Sequence, residues 1–348
     1  MKKINKFFFI GGVALMLLVS ASCTKEGPQG IAGTNGTNGT DGTDGTTTCI
    51  ECHSNNQMLY AMENQYSASM HATGPNFERN EGDCATCHTS QGFLGKLDGS
   101  YDWEAEGASI SNPVPPNCYT CHEIHSTYTA ADLKLTVTDA QVINNSGGQS
   151  HDFGKGNLCA ACHQGRTLTP FPVENGEDIA VTSPYWGVHH GTQANTSAGL
   201  GLFEVGSGLV NSAHTTMVTD ACVTCHMSDA YGTQAGGHTM WMGYEYHGST
   251  VINTPSCNTA GCHEGEEIEQ ITTEFQAEIS GLLAELKVKL DASGITVEGS
   301  DSPVPGTYSA NVAGACVNYK AISEDKSKGV HNPKYIKKLL ENTIAVMN

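Results

Sequence analysis

The sequence predicts a mainly α-helical protein with extensive loops and long C-terminal helices. Aliphatic side chains alone are not expected to form its core. Residues 49–264 are rich in Gly, Asn, Ser and Thr and contain few periodic apolar runs. The chain has 14 Cys and 15 His, far more than a packed core requires. Only in residues 265–348 do apolar residues recur at helical spacing. A large bound group is therefore expected to fill the space between the loops.

Two amphipathic helices are predicted in the C-terminal region, residues 265–348. The first runs from Glu266 to Ala292, and Gly294 follows its end, where glycine is favoured. The second begins at Asn332, with Pro333 in its first turn. Their apolar faces are interpreted as intramolecular core that packs on the preceding region. A dimer interface in a homo-oligomer is the alternative.

The N-terminus has the layout of an export signal. Three lysines precede an apolar run from Phe7 to Val19, which is too short to span a bilayer. Small residues then lead into Cys23, as in the lipobox of bacterial lipoproteins, although Ser20 stands where that motif usually has Leu. The prediction is a signal peptide over 1–22 and an outer-membrane lipoprotein, acylated at Cys23, that faces the periplasm or the cell surface. Ordinary cleavage to a soluble periplasmic protein is the alternative.

Residues 23–48 are predicted to tether the rest of the chain to this anchor. Seven consecutive Gly-X-Y triplets run from Gly27 to Thr47, which is the period of a collagen triple helix. The triplets contain one proline, so a flexible collagen-like stalk is favoured over a trimerising segment.

Five copies of Cys-x-x-Cys-His follow the tether. Two thiols three residues apart reach the two vinyl groups of one haem as thioethers, and the next residue is placed to bind the iron. The pattern therefore predicts a multihaem cytochrome c domain over 49–264. The attachment cysteines are Cys49, Cys52, Cys84, Cys87, Cys118, Cys121, Cys159, Cys162, Cys222 and Cys225, and the proximal ligands are His53, His88, His122, His163 and His226.

A sixth motif has four residues between its cysteines. It contains Cys257, Cys262 and His263, and it follows Cys222 by 35 residues, the same interval that separates Cys49 from Cys84. This register favours a sixth haem c, with a disulfide or an unfilled site as the alternative.

Other cysteine chemistries do not fit this pattern. A disulfide framework would not place His directly after every second Cys, and structural zinc would need the pairs matched into four-ligand sites. A thioredoxin-like motif would occur once. The remaining Cys316 is expected to be a small buried apolar residue.

Nine histidines remain after the six proximal ligands are assigned, so every iron can receive a second imidazole. Such six-coordinate irons suit electron transfer, because they keep their ligands when the oxidation state changes. His151 and His214 each lie eight residues before a haem motif, and one of His189 and His190 is expected to bind iron, although the sequence does not decide which. The chosen distal ligands are His71, His125, His151, His190, His214, His238 and His331, and by local pattern alone His247 and His331 are the least supported.

At these residues the chain resembles the multihaem cytochromes c grouped around pentahaem nitrite reductase, its octahaem relatives and their non-catalytic electron-transfer cousins. The resemblance rests on the haem motifs, on CHEIH, on AHTTMVTDACVTCHM and on GVHNPKYIKKLL. It implies distal roles for His214, His238 and His331. The Cys-x-x-Cys-Lys motif of the catalytic haem is missing, and Arg79 and Arg166 are the only arginines.

The function that the sequence favours is electron transfer in a respiratory or extracellular chain, without catalysis. Two alternatives stay open: reduction of a small nitrogen or sulfur oxyanion at one five-coordinate haem, and a structural role in a cytochrome assembly. The net charge of −19 argues against nucleic acid as a partner. It would attract a basic redox partner protein, or serve solubility alone.

Overall fold

The computed structural model describes residues 56–259 and 261–347. The predicted signal peptide, Cys23, the collagen-like tether and the first haem motif, with Cys49, Cys52 and His53, lie outside these residues. The structure is mainly helical, with long connecting loops and C-terminal helices, so the fold-class prediction is confirmed in these respects. None of the helices in this part of the chain is long and apolar enough to cross a membrane.

Most of the helices are short and lie between loops. In chain order they are α1 Asn56–Ser67, α2 Met70–Thr73, α3 Gly82–His88, α4 Ser90–Asp98, α5 Cys118–Cys121, α6 Asn157–Ala160, α7 Gln193–Ala198, α8 Ala213–Met217, α9 Ala221–His226, α10 Ile268–Ala292, α11 Ala310–Glu324 and α12 Pro333–Val346. Single 3₁₀ turns occupy Pro75–Glu78, Ala130–Leu133, Gly154–Gly156 and Gly237–Thr239.

Three two-stranded antiparallel sheets complete the described part of the fold. The strands are β1 Gln141–Val142, β2 Ser150–His151, β3 Ile179–Val181, β4 Gly243–Tyr246, β5 Ser249–Ile252 and β6 Gly306–Tyr308. β1 pairs with β2 and β4 pairs with β5, whereas β3 pairs with the distant β6. In that sheet Ile179 lies opposite Tyr308, which joins the middle of the chain to the C-terminal region.

The main apolar core lies where α10, α11 and α12 pack against the β3–β6 sheet. Ile279, Leu286 and Leu290 of α10 are completely buried there, as are Leu339 and Leu340 of α12. The predicted apolar faces of both helices are thus packed within the chain. The helix α10 begins two residues after the predicted start, and α12 begins at Pro333, one residue after the predicted Asn332, which is its N-cap residue.

Helix α11 is not among the helices that the sequence predicts. Its residues are apolar around most of the circumference, and it is buried on most sides in the core, so no amphipathic period marks it. Gly314 allows the ring of Phe203 to pack directly on the helix, because a Cβ at this position would lie 2.4 Å from that ring. Cys316 is completely buried on α11, as expected, and burial raises the pKa of its thiol to about 12.

The packing of α10 predicts different costs for two substitutions on that helix. Leu286→Ala removes a completely buried side chain and should lower the free energy of unfolding by about 2–5 kcal/mol. Val288→Ala truncates a side chain that is 68% exposed and should change it by less than about 0.5 kcal/mol. Urea unfolding of the haem-loaded protein, followed by far-ultraviolet circular dichroism, measures both. Equal effects of the two substitutions would contradict this account of the core.

Candidate haem sites

The motifs that the structure describes lie on short helices or at their ends. We number the sites in chain order of their motifs, so that the first site contains Cys49 and the sixth contains Cys257. The second, third and fifth motifs lie on α3, α5 and α9, where the spacing of three residues puts both thiols on the same side of the turn. In the fourth motif Cys159 lies on α6 and Cys162 in the turn that follows it. The sixth motif has two extra residues and forms turns.

The third motif shows how the local sequence starts such a helix. Asn117 caps α5: its side chain accepts a hydrogen bond from the Tyr119 amide at 3.0 Å. In return the Thr120 hydroxyl accepts from the Asn117 amide at 2.8 Å, which completes a capping box. Thr120 also donates to Ser90 of α4 at 2.7 Å. His122 follows α5 directly, so the turn that precedes it is held in place by these hydrogen bonds.

Each of the five described motif histidines faces a histidine from outside the motifs. The ring centres are separated by nearly the same distance in all five pairs. The pairs are His88 with His189 at 6.5 Å, His122 with His238 at 6.4 Å, His163 with His71 at 6.0 Å, His226 with His331 at 6.2 Å, and His263 with His214 at 6.1 Å.

This separation is the one that two axial imidazoles of a single metal ion require. A metal–imidazole bond is about 2.0 Å long and the ring centre lies about 1 Å beyond the nitrogen, so two opposed rings have centres about 6 Å apart. Direct stacking would bring the rings closer. The donor set at each site, two imidazoles and a pair of thiols, fits haem c.

The Nδ1 atoms of most of these histidines are hydrogen-bonded to the protein. An imidazole that binds metal through Nε2 donates the proton on Nδ1 to a protein acceptor, which fixes the ring and its tautomer. Seven of the ten paired rings have such an acceptor on Nδ1. The acceptors are the carbonyls of Leu133 for His122 at 2.8 Å, Met240 for His226 at 2.9 Å and Val330 for His214 at 2.7 Å, and the side chains of Met240 for His71 at 3.1 Å, Gln193 for His163 at 3.2 Å, Glu266 for His263 at 2.7 Å and Asp325 for His331 at 2.6 Å.

Two of these acceptors are carboxylates in different environments. Glu266, on His263, is 49% exposed, whereas Asp325, on His331, is buried. Burial raises the pKa of Asp325, but the His331 charge and hydrogen bonds from His331, Ser327 and Thr196 lower it by more. Asp325 is therefore a buried anion in direct contact with one histidine of the fifth site.

Several paired histidines lie where the neutral imidazole is favoured. Burial, together with the neighbouring His163, lowers the pKa of His71 to about 4. Burial also lowers the pKa of His189 to about 4, and both arginines of the chain, Arg166 and Arg79, contribute. A neutral imidazole is the form that binds metal. Both rings can therefore act as ligands over a wide pH range.

The structure places His189, and not His190, opposite His88. His189 adopts a left-handed backbone conformation, with φ of 64°. The following His190 is turned away, with its Nδ1 2.7 Å from a Glu324 carboxylate oxygen, and its side chain is 74% exposed. The sequence favoured His190 within this pair, and no local signal separates the two residues.

Three further histidines chosen or considered from the sequence do not face a described motif histidine. The ring of His125 stacks on Tyr128 at 5.3 Å, and His151 contacts the buried Phe153 at 4.5 Å. His247 is exposed beside Tyr246. These three side chains and His190 are the candidates to pair with His53, whose motif lies outside the described residues.

The motifs of neighbouring sites touch one another. A hydrogen bond with Cys162 of the fourth site lowers the pKa of the Cys87 thiol of the second site to about 6. The other cysteine of the fourth site, Cys159, interacts with Cys222 of the fifth. A Cβ at Gly156 would lie 3.1 Å from the Cys222 sulfur, so glycine permits this approach. The fourth site therefore lies between the second and the fifth.

The donors come in opposed pairs and not in larger clusters. Within residues 56–259 and 261–347, no three His, Cys, Asp or Glu side chains form a group that could hold a bare metal ion.

Comparisons with known proteins give one similarity to a solved structure. The chain resembles the outer cell wall cytochrome OcwA with a TM-score of 0.49 and 21% identity, over 82% of this chain and 50% of that one. The chain thus spans about half the length of the cytochrome that it matches. No family model matches the chain, and no curated protein matches it either.

The loop that holds His122 depends on one buried carboxylate, Asp132. The side chain accepts hydrogen bonds from the Thr127 amide at 2.6 Å and the Tyr128 amide at 3.0 Å, and the adjacent Leu133 carbonyl accepts from His122. Burial opposes ionisation, but hydrogen bonds from Thr127, Ser126 and Tyr128 outweigh it and lower the Asp132 pKa to about 2.

We expect this loop to open in acid. Because the folded pKa lies below the ordinary value of about 3.9, the stabilisation is complete above that pH and is lost as the pH falls through about 2. Hydrogen exchange at the Thr127 and Tyr128 amides measures the opening. Asp132→Asn is expected to weaken protection already at neutral pH and to remove the dependence on pH. Unchanged protection of the wild-type loop across this range would contradict the assignment.

Proposed function

We propose that this protein is a multihaem cytochrome c that carries electrons through six haems with mostly bis-histidine ligation. The observation that carries the proposal is the set of five opposed histidine pairs, each with one motif histidine and a ring separation of 6.0–6.5 Å. Axial ligation of a metal ion is the one evident role for five separate histidine pairs at this spacing.

The residues of each site have distinct parts in this proposal. Haem iron bound there supplies a one-electron couple. The two cysteines would hold the porphyrin covalently, and the two histidines would bind the iron in both oxidation states. The Nδ1 acceptors fix the rings, so that little reorganisation accompanies the gain or loss of an electron. The first site would use Cys49, Cys52 and His53, with a distal histidine that we do not assign.

The contacts between motifs support one route through the array. Cys87 of the second site interacts with Cys162, and Cys222 of the fifth site interacts with Cys159. The fifth and sixth motifs are neighbours as well: burial raises the pKa of Cys225, and the nearby Cys257 raises it further. The route would therefore run from the second site through the fourth to the fifth and the sixth. The third site would join at the fourth, because Cys121 acts on both Cys159 and Cys162.

The setting that we propose follows from the N-terminal sequence and the charge. A signal peptide over 1–22, an acylated Cys23 and a collagen-like tether over 23–48 would hold the haem region near the outer membrane, in a respiratory or extracellular chain. The net charge of −19 would attract basic regions of redox partner proteins. The C-terminal helices, residues 265–348, would support the haem region from one side.

A second candidate function, reduction of a small oxyanion, would take place at the second site. Both arginines of the chain, Arg79 and Arg166, contribute to lowering the pKa of His189. His189 is also the paired ligand whose backbone adopts the left-handed region, which is strained for this residue type. A distal imidazole that detaches beside two guanidinium groups would admit a small nitrogen or sulfur oxyanion. This site is where the reductase alternative would operate.

Haem content and spin state test the proposed function. The haem-loaded protein should contain six haems by the pyridine haemochrome assay, and its low-temperature EPR spectrum in the oxidised state should be low-spin throughout. Four or fewer covalent haems would contradict the proposal. A high-spin component in the wild-type protein that changes on addition of nitrite, hydroxylamine or sulfite would favour the reductase.

The assignment at the second site predicts opposite results for adjacent residues. His189→Ala should convert one haem to high-spin, and added imidazole should restore the low-spin signal, because the open coordination position is refilled. His190→Ala should leave the second site low-spin, because that ring contacts Glu324 instead. A high-spin signal in His190→Ala, together with a fully low-spin His189→Ala, would reverse the assignment.

A further inference from the structure

The acceptor on His331 is unlike the other acceptors of the described sites. Asp325 is 2% exposed and ends α11, where its Oδ1 accepts a hydrogen bond from His331 Nδ1 at 2.6 Å. The same oxygen accepts from the Thr196 hydroxyl at 2.6 Å, and Ser327 donates to the other oxygen. The partial negative charge of the C-terminal end of α11 adds to that of the carboxylate. A fixed negative charge is thus held in contact with one axial ligand of the fifth site.

The acceptors at the neighbouring sites are neutral or hydrated. Backbone carbonyls serve His122, His214 and His226, and the Gln193 amide oxygen serves His163. The one other carboxylate among them, Glu266, is half-exposed, so water and salt screen its charge. Charge of this kind acts most strongly where water is excluded, as it is around Asp325.

We propose that the Asp325 carboxylate gives the His226–His331 site the lowest reduction potential of the five described sites. This inference rests on the proposed function, because it concerns the haem that these residues would hold. A buried anion on the axial imidazole stabilises the ferric ion, which carries more positive charge, over the ferrous ion. Hydrogen bonding to ligands and burial are the means by which proteins set haem potentials.

The same helix end also reaches the fourth site, but with an uncharged group. The Gln193 side chain donates to the Asp325 carbonyl at 3.2 Å while its oxygen lies 3.2 Å from His163 Nδ1. Two adjacent sites are thus supported by one segment, one through a carboxylate and the other through an amide. An electron on the fifth haem would therefore pass downhill to the fourth.

Asp325→Asn tests the inference, because it removes the charge and keeps the size of the side chain. In a redox titration of the haem-loaded protein followed by EPR and optical spectra, the lowest-potential component should rise. We expect the reduction equilibrium of that haem to become about tenfold to hundredfold more favourable, at about 59 mV per tenfold for a one-electron couple. The other components should move by less than about threefold.

Asp291→Asn is the matched control for this substitution. It neutralises a carboxylate of α10 that bonds Lys287 at 2.6 Å and Thr296 at 2.6 Å and no histidine. All components should keep their potentials in this variant. A shift of the lowest component equal to that of Asp325→Asn would overturn the inference, since it would reflect net charge alone.

Ser327→Ala provides a test that keeps the charge of the buried carboxylate. Ser327 is only partly buried, and its removal takes one donor from Asp325, which leaves more negative charge directed at His331. The lowest-potential component should therefore move down, opposite to Asp325→Asn. If both variants keep six low-spin haems and neither moves this component, the inference is wrong and the proposed function stands. If the wild-type protein itself contained no covalent haems, the proposed function would be wrong as well.

Discussion

Each paired imidazole has to satisfy two demands, because the nitrogen that faces its partner leaves the other nitrogen to the protein. For seven of the ten paired rings the surrounding chain brings an acceptor to Nδ1, at a position set by the opposed ring. Backbone carbonyls from loops meet this demand for His122, His214 and His226. Carbonyls of this kind are available in irregular segments and at helix ends, since a carbonyl inside a helix or a sheet is already engaged by an amide.

The C-terminal helices act on the sites through the end of α11. Thr192 donates to the Ala321 carbonyl at 2.6 Å, and Gln193 and Thr196 of α7 contact Asp325 and its carbonyl. Because α11 is buried on most sides by α10, α12 and the β3–β6 sheet, this end cannot shift without disturbing the apolar core. The aliphatic core therefore serves as a rigid support for parts of the chain that have little core of their own.

Some features follow from the sequence and others depend on distant contacts. The haem motifs and the amphipathic α10 and α12 are local patterns, and the structure contains both helices within two residues of the predicted starts. The resemblance to multihaem cytochromes pointed to His214, His238 and His331, and each of these rings faces a motif histidine. Whether they bind iron stays a prediction.

The features that the sequence did not reveal have no local signature. Helix α11 lacks an amphipathic period because it is buried on most sides. Asp325 looks like a surface residue in the sequence SEDKSKG, and only the fold brings it to His331 and Thr196. The choice between His189 and His190 depends on a left-handed residue in a loop, where one backbone angle decides which ring points inward.

The separation of paired histidines along the chain has a consequence for how the protein is made. The members of a pair lie between 49 and 116 positions apart, and in four of the five pairs at least 90 residues separate the two histidines. Each attachment motif, in contrast, is complete within five to seven residues. In the proposed exported cytochrome, the motifs with His88, His122 and His226 would therefore emerge long before their partner histidines, whereas His71 and His214 precede the motif histidines that they face. At those three sites covalent attachment would be able to precede folding, and the fifth site would be completed only when His331 reaches His226.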